Sequence, residues 1–266
     1  MKRNFFLPLA LCCAIACNNE SKAPVSGDSV LKATPATPTA ETASPVALTG
    51  NCGSLLLFKK GTVIEAVSYN KDGEETTKQS STVLDVAATA TGVTAEVEMK
   101  SNGIGKKENS FTGKYSCDGK NFYADLSSLF ANMDAKGATI EGDPVSFPIN
   151  VTEGETLPDV TYSMTVTKAG KQMKTTVHMK NRKVGAKEKI TTPAGTFNCY
   201  RISSTSEAEV DIEGMDEKMK QIMKSMKNTM PKQSFVMFYD PAVTIVKVEM
   251  YSDDKLVSHS DVVAIR

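Results

Sequence analysis

The sequence predicts a mainly β body: a single antiparallel, strongly curved sheet, sandwich or open barrel of about 10–12 strands, carrying two amphipathic helices. The first observation is period-two alternation from Asn51 onward. Val93, Ala95, Val97 and Met99 alternate with Thr94, Glu96, Glu98 and Lys100, and Val160, Tyr162, Met164 and Val166 alternate with threonines and Ser163. The second is turn chemistry between such runs, at Asn70-Lys71-Asp72-Gly73, Ala169-Gly170 and Ser252-Asp253-Asp254, which joins neighbours as antiparallel hairpins. The third is composition: 40% hydrophobic residues supply a core, and the chain is rich in Thr, Val and Met but lacks tryptophan, so no broad aromatic sugar platform is expected.

Taken from the start, Lys2 and Arg3 precede an apolar run from Phe5 to Ala16, the length of an export leader and too short to span a bilayer as a helix. Ala14, Ile15 and Ala16 then close on Cys17, in a pattern that resembles a bacterial lipobox. Residues 1–16 are therefore expected to be a lipoprotein signal peptide, and Cys17 the lipidated residue that tethers the mature chain to a membrane. Acylation by two or more chains anchors stably, because each buried methylene contributes about 0.8 kcal/mol and one chain alone binds marginally. Asn18, rather than an aspartate, fits sorting to the outer membrane, on its periplasmic face or at the cell surface.

Residues 17–50 are rich in Ala, Thr, Ser and Pro and contain no aromatic residue, which predicts a flexible linker with an r.m.s. span on the order of 30 Å. Within it, Asp28-Ser29-Val30 matches a short O-glycosylation pattern that such composition also produces by chance. The folded domain is expected over 51–266.

In that domain Met173, Val177 and Met179 mark one further strand, and Thr244, Val246, Val248 and Met250 another. Two stretches change to helical spacing. Leu126, Leu129, Phe130 and Met133 follow Asp125 as an N-cap and end at Gly137. Met215, Met219, Ile222, Met223, Met226 and Met230 form a second stripe, with lysines over much of the remaining surface. This stripe is expected to pack on the sheet, and Met215, Met219, Met223 and Met226 are also candidates to line a site for a lipid or other hydrophobic ligand. Copper(I) on the thioethers is a lesser option.

With Cys17 acylated, the mature chain has Cys52, Cys117 and Cys199. A bridge between Cys52 and Cys117 is expected, because it pins the start of the body where the linker joins it; Cys199 is then a buried free thiol. His178 and His259 are read as solvated or locally bonded residues, and no metal or other cofactor is expected. No nucleophile elbow, zinc-protease helix or phosphate-cradling glycine loop is present, so no catalytic residue is assigned and the body is expected to be non-enzymatic. Lys plus Arg balance Asp plus Glu at 31 each, so nucleic acid is not an expected partner. The expected partners are the membrane, through Cys17, and an envelope protein or a hydrophobic ligand.

One region carries a family resemblance. Asn181-Arg182-Lys183-Val184 and the run Glu188 to Tyr200, with Leu157-Pro158-Asp159, Cys52, Cys117, Val246-Lys247 and Tyr251, resemble the TapB-like family of exported bacterial proteins of unknown function, many of them lipoproteins. The resemblance covers nearly all of 51–266 and implies the fold and an envelope address, without an activity. It departs at Ala242 to Ile245, where the family tends to carry a Gly-Val-Gly-like turn and this chain has Ala-Val-Thr-Ile. Pro193 and Gly195 predict a rigid bend over Thr192 to Thr196.

Overall fold

The computed structural model of the protein describes residues 50–103, 108–125, 139–168, 171–218, 221–222 and 231–266. The signal peptide, Cys17 and the linker up to residue 49 lie outside these residues. The described chain opens with two 3-10 turns, η1 (Gly50–Ser54) and η2 (Leu56–Phe58). Thirteen strands follow: β1 (Val63–Asn70), β2 (Glu75–Thr89), β3 (Gly92–Gly103), β4 (Asn109–Cys117), β5 (Asn121–Asp125), β6 (Thr139–Gly142) and β7 (Val145–Pro148). Then come β8 (Val160–Lys168), β9 (Lys171–Thr192), β10 (Gly195–Ile212), β11 (Gln233–Asp240), β12 (Thr244–Ser252) and β13 (Lys255–Ile265). They form one antiparallel sheet in the order β6-β8-β9-β10-β11-β12-β13-β1-β2-β3-β4-β5-β7.

The count exceeds the ten to twelve strands expected from alternation because β6 and β7 have four residues each, too few to show a period. The two expected amphipathic helices are not established among the described residues. The stripe from Leu126 to Met133 lies outside the described residues, and Asp125, expected as its cap, is the last residue of β5. Of the methionine stripe only 215–218 and 221–222 are described; Glu217, Lys218, Gln221 and Ile222 have helical backbone, which does not establish a helix over the stripe.

Alternation places the core where expected in β3, whose Val93, Ala95, Val97 and Met99 are all buried. Curvature of the sheet brings these side chains together with Phe122, Phe147, Ile202, Met237 and Tyr239 in one inner cluster. A smaller cluster on the outer face contains Cys199, Val236, Phe238, Val243, Val246 and Val262. The η1–η2 segment straddles the rim between them: Leu55, Leu57 and Phe58 enter the inner cluster, while Leu56 packs against the outer one. The Leu56 amide also donates to the Ala242 carbonyl, fixing the segment across the β11–β12 turn.

Hairpin chemistry explains the connections. Asp253 and Asp254 both have positive φ (47° and 63°), the conformation that a two-residue hairpin loop requires. Thr192 and Gly195 pair across Pro193-Ala194, and the Thr192 hydroxyl accepts from the Ala194 amide, so the bend expected there is a two-residue hairpin turn.

β10 pairs with β9 along its full length but with β11 only over Tyr200–Ser206. The β8–β9–β10 ribbon therefore continues past the rest of the sheet, and exposes Met173 and Val210.

Candidate functional site

The two ends of the sheet are consecutive pieces of one chain passage. β6 pairs with β8, β7 pairs with β5, and only Asp143 and Pro144 separate them. The ladder is not closed, since β6 and β7 do not pair with each other, yet the passage draws both sheet ends to one seam. Gly142 lets this happen: with φ at 139°, its α-carbon lies so near β8 that a Cβ would fall 2.5 Å from the Thr161 carbonyl oxygen.

Across the seam, the side chain that links the two ends comes from a bulge in β9. Val177 and Met179 point inward, as do Arg182 and Val184, so the inner face passes from odd to even residues between them. The change is made at Asn181, which adopts φ of 54°, where the β9–β10 register also shifts. Asn181 is held on both sides: its amide donates to Asp159 Oδ1 at 3.1 Å, and its Nδ2 donates to Thr205 Oγ1 at 3.0 Å.

Arg182 is fully buried. Its Nη1 donates to the Pro158 carbonyl and its Nη2 to the Ser146 carbonyl, both at 2.9 Å, and the guanidinium lies 5.3 Å from the Phe147 ring centroid. Phe147 stacks on Phe122 at 5.0 Å, and each lies 6.1 Å from Tyr239. Burial pushes the Arg182 pKa down and Asp159 opposes the shift; a guanidinium stays charged through the physiological range. Burying that charge costs several kcal/mol in the absence of compensating groups, and here two carbonyls and an aromatic face compensate it. Among the described residues, Arg182 Nε, Ser204 Oγ and the Tyr239 hydroxyl are buried and have no hydrogen-bond partner.

The described part of the seam also opens into a pocket of about 270 Å3, walled by Tyr123 and Asp125 of β5, Ile140 and Gly142 of β6, Asp143, Pro144, Tyr162 and Ser116. Tyr123 is held by Asp118, whose Oδ2 accepts the phenol proton at 2.8 Å and raises the Tyr123 pKa.

Of the residues expected to matter, Cys52 and Cys117 are joined by a disulfide that ties η1 to the end of β4. Cys199 is a buried free thiol, its pKa pushed up to about 12 by burial and by Asp240 and Glu188. Met215 is half-buried, just after β10; Met219, Met223 and Met226 lie outside the described residues. The seam pocket does not include Met215. His178 Nδ1 is 3.0 Å from the Thr161 hydroxyl, and His259 stacks on Tyr69 at 4.9 Å with Asp261 3.7 Å away. The structure does not bring the two histidines together, and among the described residues no cluster of three or more His, Cys, Asp or Glu is placed to hold a metal ion.

Sequence reasoning did not single out Arg182 as the centre of the seam. The available signal was the change of apolar parity from Val177 and Met179 to Val184, with an asparagine and a charged residue between.

No curated protein matches the chain. In fold it is similar to a Bacteroides fragilis structure described as an exported protein with a YmcC-like fold, with TM-score 0.59 and 18% identity over 78% of this chain and 96% of that one. It is also similar to a Parabacteroides distasonis structure described as a lipoprotein, with TM-score 0.58 and 17% identity over 79% and 96% of the two chains. At these identities the likeness is one of fold. The family match reaches further, spanning residues 59–262 and so nearly the whole sheet, and the chain belongs to the DUF3108-like family.

Proposed function

We propose that this DUF3108-like chain, within that family a TapB-like one, is a lipid-anchored, non-catalytic binding or assembly module of the bacterial outer membrane. The observation that carries the reading is the succession of lipobox-like leader, Cys17, polar linker and disulfide-tied entry into the sheet. The linker reaches the body at η1, beside the rim formed by the β4–β5 and β9–β10 turns. The opposite rim, with the β1–β2 and β12–β13 turns and the extended β8–β9–β10 ribbon, therefore faces away from the point of attachment. Such a body is held near a membrane with one end turned to partners. The exported and lipoprotein descriptions of the two similar structures agree with this address.

The test is a Cys17→Ala protein compared with the parent by palmitate labelling and membrane fractionation. The parent is expected to label and to sediment with outer membranes, and the variant to do neither while keeping its β circular dichroism. Continued membrane association of the variant overturns the anchor. In-cell photo-crosslinking from the β12–β13 turn, compared with the β9–β10 turn, checks which rim meets a partner.

A further inference from the structure

We infer that the β6–β7 passage is a flap that opens independently of the rest of the sheet, and that Arg182 is the clasp that keeps it shut. The inference concerns the body alone and stands whether or not the chain is lipidated.

β7 has four residues and a ladder on one side only, to β5. On its other side Arg182 Nη2 donates to the Ser146 carbonyl, and just before the strand the Asp143 amide donates to the Thr161 carbonyl of β8. Elsewhere neighbouring strands share continuous ladders; β12 and β13 pair through six residue pairs. At the seam one side chain stands where a ladder would close the sheet. The same guanidinium bonds the Pro158 carbonyl just before β8, so it grips the entrance to one sheet end and the edge strand of the other.

What lies behind the flap also differs from the rest of the core. Phe147 belongs to β7 itself, and its ring is stacked between the Arg182 guanidinium and the Phe122–Tyr239 pair. Opening the flap parts the β5–β7 and β6–β8 ladders, of four residue pairs each, and uncovers Phe147 and its aromatic neighbours while the ladders from β9 through β13 stay in place. Sub-global openings of this kind fall below the global unfolding free energy, and here the short ladders favour opening while burial of Val145 and Phe147 opposes it. The far end of β7 is held by the Ile149 amide, which donates to the Lys120 carbonyl. Arg182 thus acts as a positioning residue, through β7.

Native-state hydrogen exchange followed by mass spectrometry tests this on the full folded chain. In the parent protein, peptides covering 139–149 are expected to show protection factors at least tenfold below those of peptides from β11 and β12. In Arg182→Met, exchange over 139–149 is expected to accelerate at least a further tenfold while β11 and β12 are unchanged. Arg182→Lys, which keeps the charge but not the two-pronged reach, falls between. Equal protection of 139–149 and β11–β12 in the parent overturns the flap, and if Arg182→Met fails to fold, unchanged exchange over 139–149 in Arg182→Lys overturns the clasp. Acceleration of all strands together in Arg182→Met, or none over 139–149, also overturns it.

Discussion

The Asp159 carboxylate, immediately before β8, accepts the backbone N–H of Asn181 in β9 at 3.1 Å, so the residue that turns the register of one strand is held by the residue that leads into its neighbour. Two stretches far apart in sequence, Leu157-Pro158-Asp159 and Asn181-Arg182-Lys183-Val184, meet here. Leu157 N–H donates to the Arg182 carbonyl, and the Pro158 carbonyl accepts from the Arg182 side chain.

The conformation of Asn181 sets the first prediction. At φ of 54°, alanine bears the left-handed penalty of about 1–2 kcal/mol and also loses the bond to Thr205. Asn181→Ala is expected to lower unfolding free energy by about 2 kcal/mol and Asn181→Gly by less, although glycine loses the same side-chain bond. Urea denaturation of the two variants measures this. Equal losses would mean that the backbone conformation contributes nothing.

The second prediction concerns the bridge at the base of the sheet. Cys52 and Cys117 are 65 residues apart, and a loop of that size constrains the unfolded chain by about 4 kcal/mol in the chain-entropy estimate. Replacing both cysteines with alanine is expected to cost about 2–4 kcal/mol, read as a lower denaturant midpoint with a steeper slope, because the unbridged denatured chain exposes more surface. Cys199 should resist alkylation in the native protein, since it is buried and its pKa is raised to about 12. It should react once the chain is unfolded without reductant, while a peptide linking Cys52 and Cys117 persists.

How far these features could be read from sequence depends on whether their cause is local. The β3 alternation and the Asp253-Asp254 turn follow from neighbouring residues, and the sequence shows both. The pairing of Cys52 with Cys117 followed from a physical argument about where an unfolded tether needs pinning. The seam did not follow, because β6 and β7 are shorter than the window a period needs. Arg182 reads as an exposed charge in a polar strand until the single left-handed residue before it turns it inward. Gly113–Cys117 and Gly195–Cys199 share a glycine, an aromatic and a cysteine at equal offsets, a match short enough to arise by chance, and Gly113 lies within β4 whereas Gly195 opens β10 at a hairpin turn. Equal spacing of three residue types did not mark equal positions in the fold.

A third prediction concerns pH. Asp118 closes the β4–β5 turn: its Oδ1 accepts from the Lys120 and Asn121 amides, and its Oδ2 from the Tyr123 hydroxyl. Burial pushes its pKa up, but these donors outweigh burial and hold it below the ordinary 3.8. A group depressed in the folded state stabilises above its unfolded pKa, and that contribution is lost as pH falls through the folded value. The turn should therefore contribute fully at neutral pH and weaken below about pH 4. Because the carboxylate is exposed, its contribution is discounted to under about 1 kcal/mol. Asp118→Asn is expected to flatten the stability profile in that acid range, and equal acid slopes for variant and parent would sink the assignment.

The last prediction reverses the usual sign of a substitution. Thr244 opens β12 at φ of 93°, a conformation that suits glycine and strains a β-branched residue, and it is also buried. The β11–β12 turn is fixed from both sides: Asp240 Oδ1 accepts from the Ala242 amide at 2.8 Å, and the Ala242 carbonyl accepts from Leu56. Thr244 therefore cannot relax without disturbing the contact between the η1–η2 segment and the sheet. Strain of this kind costs about 1–3 kcal/mol, whereas glycine costs about 0.5–1 kcal/mol in extra unfolded-state entropy. The larger effect decides the sign, and Thr244→Gly is expected to stabilise the protein by about 1 kcal/mol. A rise of a few degrees in Tm agrees with that balance. A fall in Tm would show that the buried threonine side chain contributes more than its backbone strain costs.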